Sequence, residues 1–404
     1  MVGGKRLGAT ILCLVAVVGL NRANAQATGP LKLGVLTDMS SLYADNGGPG
    51  SVVAAQMAID DFGGSVLGRK IELIAADHQN KADVGGVIAR RWIENENIEA
   101  ILDVPNSAVA LAVQGITREK KKPFLATGAA TSRLTGDECS QTGIHWTYDT
   151  YALSQGTTKA VSKLGVKSWF FLSADYSLGA QLEADSRKVI DAEGGKVVGS
   201  VKHPINTPDF SSFLLQAQSS KAEAIALADA GGDFINVVKQ AGEFGVTRTQ
   251  KLVGLLVFIA DINSLGLPSA QGLILSSAFY WDLNDDTRAW SKRFIDKTNK
   301  VPTMIHAGTY GAVMHYLKAV AAVSSVDGPT IASKMRETPV NDFMTKNGKI
   351  REDGRLVRDM YLFRVKKPEE SKYRFDYYQL LATIPGNEAF KPQEQGGCPL
   401  VSKK

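Results

Sequence analysis

Apolar and polar positions in the first part of the chain follow two alternating patterns. Short runs rich in Val, Ile and Leu are typical of buried strands, and the longer stretches between them have the spacing of amphipathic helices. The predicted strands are 31–37, 70–76, 98–104 and 123–127, and the predicted helices are 54–62, 81–94 and 107–119. Strands alternating with helices of this length indicate βαβ units and a parallel sheet covered on both faces.

The same alternation begins again after Tyr148, which predicts a second sheet rather than an extension of the first. Its predicted helices are 152–164, 179–193, 210–219 and 234–244, and its strands are 168–172, 196–201, 222–228 and 251–256. From Gly272 onward the pattern is mixed, with strands at 272–278, 358–365 and 373–382 and helices at 287–299 and 307–323.

The first 25 residues have the organisation of a secretory signal peptide. Lys5 and Arg6 precede an apolar run from Leu7 to Leu20, and Ala23-Asn24-Ala25 supplies small residues for cleavage. The apolar run is shorter than the ~20 residues that span a bilayer. We therefore expect cleavage after Ala25 and a periplasmic location.

Charge and motifs exclude several classes of function. The formal net charge is +5 over 404 residues, and the signal segment removes only basic residues, so the mature chain is near neutral. It lacks the clustered basic face that nucleic acid requires. Motifs of hydrolases, nucleotide-binding loops and metal sites are missing, and the five histidines are scattered. We expect a non-enzymatic, monomeric binding protein with no cofactor and no nucleic-acid partner.

Two cysteines remain in the mature chain, Cys139 and Cys398. In an oxidising compartment an even pair favours a disulfide. Cys398 lies in a tail containing Gly and Pro that has little else to hold it. We predict a Cys139–Cys398 bridge, with two separate thiols as the alternative.

Candidate ligand-binding residues follow two neighbouring strands, where open α/β sheets bind ligands. Strand 98–104 leads through Asn106 to Ser107 at the start of a helix, and strand 123–127 leads into Ala129, Ala130 and Thr131. Hydroxyl and free N–H groups at helix starts favour a carboxylate. Ser107 and Thr131 are also consistent with ordinary helix caps, and both interpretations stay open.

Several segments follow one another in an order similar to that of a known family. They are 33–40 (LGVLTDMS), Gln56-Met57-Ala58, 100–107, 125–131 (LATGAAT), the Asp175-Tyr176 turn before Gly179, and 225–241. On this ordered set the chain resembles the leucine/isoleucine/valine-binding proteins, which are type I periplasmic binding proteins. The resemblance implies two doubly wound α/β lobes joined by a three-segment hinge, which close on a ligand in the cleft between them.

The resemblance also implies a division of the chain into lobes. The expected boundaries are 1–25 for the signal peptide, 26–147 with 280–356 for lobe I, 148–279 with 357–390 for lobe II, and 391–404 for a C-terminal tail.

The family's carboxylate-binding positions fall on Ser107 and on Ala129 to Thr131, which match. Its acid that pairs with the ligand ammonium falls on Leu256. Because a buried ammonium without a partner costs several kcal/mol, this departure predicts a carboxylate ligand without an amino group. Two family cleft tyrosines fall near Asn46 and Ala230.

Aromatic side chains are candidates for the remainder of the cleft, although many aromatic residues simply pack cores. They are Tyr43, Tyr148, Tyr151, Tyr176, Phe258, Phe279, Tyr280 and Trp281. Together with Leu256 they predict an aromatic acid. Asp229, Asp175 or Asp149 could replace the missing acid, so an amino-acid ligand stays open.

The function expected from these features is the binding component of an ATP-driven importer, which delivers a small organic anion to a separate membrane permease. A sensory receptor on the same fold is the alternative, since both would use lobe closure. A hydrolase is a third hypothesis, against which the lack of a nucleophile–base pair argues.

Overall fold

The computed structural model of the protein describes residues 1–4 and 29–401. The predicted signal sequence from Lys5 onward and its cleavage site lie outside the described residues. In the part of the chain that the structure covers, no helix is long and apolar enough to cross a membrane.

Strands and helices alternate along the described chain, as the sequence pattern predicts. The strands are β1 Leu31–Thr37, β2 Ser65–Val66, β3 Arg69–Asp77, β4 Ile98–Asp103, β5 Phe124–Ala126, β6 Gly143–His145, β7 Ser168–Ala174, β8 Lys196–His203, β9 Ala224–Ala228, β10 Lys251–Gly254, β11 Ile274–Ser277, β12 Lys349–Ile350, β13 Leu356–Val357, β14 Met360–Val365 and β15 Tyr378–Ile384. The helices are α1 Gly48–Phe62, α2 Ala82–Glu94, α3 Ser107–Glu119, α4 Thr150–Leu153, α5 Lys159–Lys163, α6 Ser177–Ala192, α7 Ser211–Ser219, α8 Gly232–Glu243, α9 Ile259–Leu265, α10 Leu267–Ala270, α11 Asp285–Thr298, α12 Met304–Val323, α13 Gly328–Glu337 and α14 Gly386–Ala389.

Lobe I is built on a six-stranded sheet in the order β2-β3-β1-β4-β5-β6. Its strands are parallel except for β2, which forms a hairpin with β3. Every residue of β4 is buried, as expected for a strand covered by helices on both faces. The 20-residue helix α12 returns from late in the chain and packs against α1. Residues far apart in sequence therefore complete this lobe.

Lobe II contains two sheets. Strands β10-β9-β7-β8 form a parallel sheet, and β11-β14-β15 form an antiparallel sheet beside it. The mixed pattern after Gly272 corresponds to this second sheet and to the helices of lobe I. Both lobes are α/β, and the chain has the type I periplasmic binding protein fold.

The sequence pattern missed several elements, most of them short, and misplaced some boundaries. Strand β6, helices α9 and α13 and the small hairpin β12–β13 were not predicted. The predicted helix 152–164 is interrupted by a π-helical turn at Ser154–Thr158. Strands β6, β12 and β13 have two or three residues, too few positions to show a periodicity. Helices α9 and α13 have seven and ten residues, and the sequence pattern missed them.

Two buried arginines hold the segments that cross between the lobes. Arg355 donates to the Tyr148 carbonyl at 2.9 Å, and Arg358 donates to the Ala278 carbonyl at 2.8 Å. Burial lowers the pKa of Arg355 to about 10, so it remains a cation at neutral pH. Arg355 lies directly before β13 and Arg358 directly after it, in the third crossing. Each arginine bonds one of the other two crossings, which keeps the hinge segments together.

Cys139 and Cys398 form a disulfide with their Cα atoms 5.6 Å apart, which confirms the predicted pairing. The bridge attaches the C-terminal segment to the loop that follows β5 in lobe I.

Candidate functional site: the cleft between the lobes

Loops that follow strands of the two lobes touch each other directly. The Gly232 N–H in lobe II donates to the Leu42 carbonyl oxygen in lobe I at 3.2 Å. The Tyr43 hydroxyl of lobe I contacts the Tyr176 hydroxyl of lobe II. The lobes are therefore closed in this structure. We call the space between these loops the cleft, and its surrounding loops are 37–47, 103–107, 126–132, 174–176, 229–233 and 254–261.

Gly231 permits this close approach because no side chain fits there. Its φ is +60°, and an added Cβ would lie 2.3 Å from the Leu42 carbonyl oxygen. A glycine tolerates both the positive φ and the contact. A pocket of about 360 Å³ opens at the edge of this contact, between residues 41–46 of lobe I and 206–208, 232–236 and 260–264 of lobe II.

A larger groove of about 1000 Å³ lies elsewhere, at the amino ends of β9 and β10, where Glu223 and Lys251 line it. Ligands of open α/β sheets bind at the carboxyl ends of the strands, so we assign the site to the cleft.

Asn106, rather than Ser107, caps helix α3. Its side-chain oxygen accepts hydrogen bonds from the N–H groups of Ala108 and Val109. Of the two interpretations left open for Ser107, an ordinary helix cap is wrong, because Asn106 already satisfies those donors. The Ser107 hydroxyl is buried and has no hydrogen-bond partner among the described residues. Such a group is available for a ligand, since a buried polar atom without a partner is costly.

Thr131 does act as a cap, for the single 3₁₀ turn Ser132–Thr135, and its hydroxyl accepts from the Arg133 N–H at 3.4 Å. Within the described part of the chain, the N–H groups of Ala130 and Thr131 donate to no main-chain carbonyl. They are thus available to an anion.

The carbonyl groups of the same loop are held in place from behind. The Thr150 N–H donates to the Ala130 carbonyl at 2.8 Å. His145 donates from Nε2 to the Ala129 carbonyl, also at 2.8 Å. Burial, and to a lesser extent Arg355, holds the pKa of His145 well below its ordinary value, so the ring is neutral. The loop is a rigid element that presents N–H groups rather than a charged side chain.

Four of the candidate aromatic residues meet at the cleft. Besides the contact between Tyr43 and Tyr176, the rings of Tyr148 and Phe258 meet edge to face with centroids 6.1 Å apart. The Tyr148 hydroxyl donates to the Gly128 carbonyl at 2.5 Å. Burial raises the pKa of both Tyr43 and Tyr148 well above 10, so these phenols stay neutral and supply apolar surface with a polar edge.

The other four aromatic candidates lie elsewhere. Tyr151 packs under the ammonium of Lys391 in the C-terminal segment. Phe279 and Tyr280 pack against other rings in the interior, and the partly buried Trp281 packs against the exposed Tyr373. Tertiary packing separates them from the cleft although they lie near predicted strand ends.

Leu256 is buried in one apolar cluster with Tyr43, Tyr148, Phe258 and Ala230. The two positions that correspond to family acid and tyrosine residues, Leu256 and Ala230, are therefore apolar surface here.

Asn46, at the other tyrosine position, is buried at the edge of the cleft. Its carbonyl accepts from the Thr303 hydroxyl at 2.6 Å. Asp261 accepts from the Phe258 N–H at 2.8 Å, so this carboxylate is already occupied by a partner within the protein.

The three acids considered as substitutes for the missing carboxylate have different environments. Asp149 caps α4 and lies 3.6 Å from Arg355. Asp175 is exposed and forms a surface ion pair with Lys202. Asp229 is buried at the end of β9, and neither carboxylate oxygen has a hydrogen-bond partner among residues 29–401. Of the three, Asp229 alone combines cleft position with free oxygens.

Sequence reasoning missed two residues of the cleft. His203, at the end of β8, places Nε2 3.6 Å from Asp229 Oδ2. Asp103, at the end of β4, is buried beside the Thr127 hydroxyl, and burial raises its pKa to about 6. Asp103 and Val104 both have positive φ, which is unusual for residues other than glycine. The sequence feature that could have identified both residues is their position at the end of a predicted strand.

The chain matches the family model described as periplasmic binding protein over residues 30–372. A crystal structure of a periplasmic binding protein from Burkholderia mallei is 46% identical, with 92% of this chain and 99% of that chain covered and a TM-score of 0.91. A branched-chain amino acid ABC transporter periplasmic ligand-binding protein from Burkholderia xenovorans is 43% identical, with 92% and 99% covered and a TM-score of 0.81.

Two more distant relatives match over most of their length. Leu/Ile/Val-binding protein homolog 6 of Brucella melitensis is 21% identical, covering 91% of this chain and 95% of the relative. A solute-binding protein from R. palustris, solved in complex with benzoate, is 20% identical, with 92% and 100% covered and a TM-score of 0.82. The chain belongs to the periplasmic binding protein family, in the group that resembles the Leu/Ile/Val-binding proteins.

Proposed function

We propose that this protein is the substrate-binding component of an ABC importer and closes on a small organic carboxylate, with an aromatic ring as its preferred body. Members of the family are periplasmic transport proteins that bind small molecules and deliver them to a permease. The ligand class is the new element of the proposal. Binding and delivery of such a ligand would require no catalysis and no cofactor.

One observation carries the carboxylate. The Ser107 hydroxyl and the N–H groups of Ala130 and Thr131 lie at neighbouring strand ends, and none of them has a hydrogen-bond acceptor in the part of the chain that the structure describes. Donors of this kind at helix starts favour negative charge. They fix the ligand's position through backbone geometry, so no basic side chain is required.

The aromatic preference is supported by the cleft walls. Tyr43, Tyr148, Tyr176 and Phe258 supply flat surfaces from both lobes, and Leu256 adds apolar surface where the family carries an acid. The benzoate complex of the R. palustris relative indicates that this fold accommodates such a ring.

An α-amino acid is the second candidate, and Asp229 is the observation that favours it. A buried carboxylate whose oxygens accept no hydrogen bond from residues 29–401 is a suitable partner for an ammonium group. The name of the Burkholderia xenovorans relative is consistent with this class.

Calorimetric titration of the mature protein with aromatic acids and with leucine, isoleucine and valine separates the two classes. We expect aromatic acids to bind more tightly. Leu256→Glu should weaken their binding by placing a second negative charge in the cleft, whereas Leu256→Gln provides a matched control of similar size without the charge. Tight leucine binding with no heat from aromatic acids would overturn the aromatic preference. If neither class binds, the proposal that the ligand is a carboxylate fails.

A further inference from the structure

Asp229 and His203 form a buried pair on the lobe II side of the cleft. Asp229 is 1% exposed, its side chain has no hydrogen-bond partner in the described chain, and His203 Nε2 lies 3.6 Å from Oδ2. A carboxylate without partners in such surroundings is costly. An acceptor left free in the closed cleft needs a donor from outside the chain.

A neighbouring carbonyl group places a proton on one nitrogen of His203. His203 Nδ1 lies 2.9 Å from the Pro204 carbonyl, and a carbonyl only accepts, so Nδ1 holds a proton. Nε2 and Asp229 therefore face each other favourably when one proton lies between them, on either group. Burial lowers the pKa of His203, but the Asp229 carboxylate outweighs burial and the pKa is raised overall. Burial also raises the pKa of Asp229. Wherever the shared proton lies between Nε2 and Oδ2, Oδ1 is left as an acceptor.

The other acids nearby do not compete for a ligand donor. Asp233 accepts from the N–H groups of Asn206 and Thr207 at 3.1 and 2.9 Å. Asp261 accepts from the Phe258 N–H at 2.8 Å. Because His203 lies toward Oδ2, the other oxygen of Asp229, Oδ1, stays free.

The pair lies on the opposite lobe from the carboxylate-binding donors. Asp229 follows β9 in lobe II, and the loop after it contacts Leu42 and Tyr43 of lobe I. Ser107 and Thr131 follow β4 and β5 in lobe I. A ligand enclosed by both lobes meets donors on one side and an acceptor on the other.

We propose that Asp229, supported by His203, forms a second sub-site that accepts a hydrogen bond from an O–H or N–H group of the ligand remote from its carboxylate. This inference rests on the proposed carboxylate function and restricts it. The ligand is bifunctional: a carboxylate alone, such as benzoate, leaves Asp229 without a partner. A hydroxyl on a ring and an ammonium share the chemistry that this sub-site requires.

Matched ligand pairs test the sub-site in the unaltered protein. Benzoate is compared with 4-hydroxybenzoate, and 4-methylpentanoate with leucine, since each pair differs mainly by one donor group. We expect the donor-bearing member of one pair to bind at least about tenfold more tightly, as a hydrogen bond to a charged group would give. Which pair shows the difference identifies whether the donor is a hydroxyl or an ammonium. Equal affinities within both pairs would overturn the second sub-site and leave the carboxylate proposal intact.

Variants assign the effect to Asp229. Asp229→Asn should abolish most of the discrimination within the pair, and Asp175→Asn, which alters an exposed acid of the same lobe, should preserve it. Discrimination that survives in Asp229→Asn would overturn the assignment. Phenol serves as the separating probe: if it binds as tightly as 4-hydroxybenzoate, the carboxylate function fails while the donor sub-site stands. If none of these compounds binds, both proposals fail.

Discussion

Tyr43 and Tyr176, 133 positions apart in the chain, come from opposite lobes and bring their hydroxyl groups into contact across the cleft. One phenol donates and the other accepts, and burial keeps both neutral at physiological pH. The contact exists only when the lobes are closed, so it stabilises the closed state relative to the open one.

Tyr176→Phe should therefore weaken ligand binding without altering the ligand contacts of lobe I. Loss of one hydrogen bond corresponds to ~0.5–1.5 kcal/mol, which calorimetric titration resolves. At equal ligand concentration, small-angle scattering should show a larger fraction of open molecules for Tyr176→Phe than for the unaltered protein. Tyr151→Phe is the matched control, because Tyr151 lies against Lys391 outside the cleft. An equal loss in both variants would contradict the role of the Tyr43–Tyr176 contact.

Ser107→Ala separates binding from stability. Its hydroxyl is buried without a partner, so its removal should leave the free energy of unfolding of the ligand-free protein unchanged or slightly higher. Carboxylate affinity should fall by ~1.5–3 kcal/mol, the usual contribution of a hydrogen bond to a charged group.

Thermal unfolding with and without ligand measures both quantities for Ser107→Ala. Ser162→Ala removes another buried hydroxyl that has no partner in the described chain, on a helix away from the cleft, and should leave affinity unchanged. Unaltered carboxylate binding by Ser107→Ala would remove Ser107 from the proposed site.

The Cys139–Cys398 disulfide closes a loop of 259 positions. A cross-link over so long a loop restricts the unfolded chain, and its reduction should lower the free energy of unfolding by about 2–4 kcal/mol. Denaturant unfolding with and without a reducing agent measures the loss. A Cys139→Ser/Cys398→Ser double variant, which cannot form the bridge, is the control. Its free energy of unfolding should be the same with and without the reducing agent. Ligand affinity should change little, since the bridge joins the tail to the side of lobe I.

Asp103 should make stability depend on pH. Burial raises its pKa in the folded protein to about 6, whereas the unfolded chain titrates near 4. Between these values the folded state binds more protons, so the contribution of Asp103 falls as pH rises from about 4 to about 6 and is constant above.

Asp103→Asn removes this contribution. Its stability relative to the unaltered protein should rise over the same pH interval, by at most about 3 kcal/mol. Denaturant midpoints at pH 4, 5, 6 and 7 provide the measurement. Asp191→Asn, at an exposed position, is the control and should follow the unaltered protein. Parallel curves for Asp103→Asn and the unaltered protein would contradict the raised pKa.

The longest elements were predictable because their periodicity extends over many residues. β1 lies where its apolar run predicts, and α3 covers 107–119 as expected. The pairing of Cys139 with Cys398 was also predictable, since a mature chain with two cysteines allows one internal bridge. The strand ends that carry Ser107, Thr131 and Asp229 followed from the same pattern.

Local sequence did not predict which strand-end residues would meet. Tyr151 and Trp281 are aromatic candidates for the cleft in the same way as Tyr43 and Tyr176. They nevertheless pack elsewhere. The sequence predicted no role for His203, because a single histidine forms no motif with a characteristic spacing. Its role depends on β8 and β9 both ending at the cleft, with β7 between them.

The sequence by itself determined the alternation of strands and helices, the two-lobe fold and the positions of the strand ends, because these depend on local periodicity and on the order of segments. Tertiary structure decided which side chains are left without partners. Asn106 occupies the donors that Ser107 would have capped, and Asp149 is engaged by Arg355 whereas Asp229 is not. Whether a polar group is satisfied depends on neighbours brought from distant parts of the chain, and those neighbours are fixed only when both lobes are packed and closed.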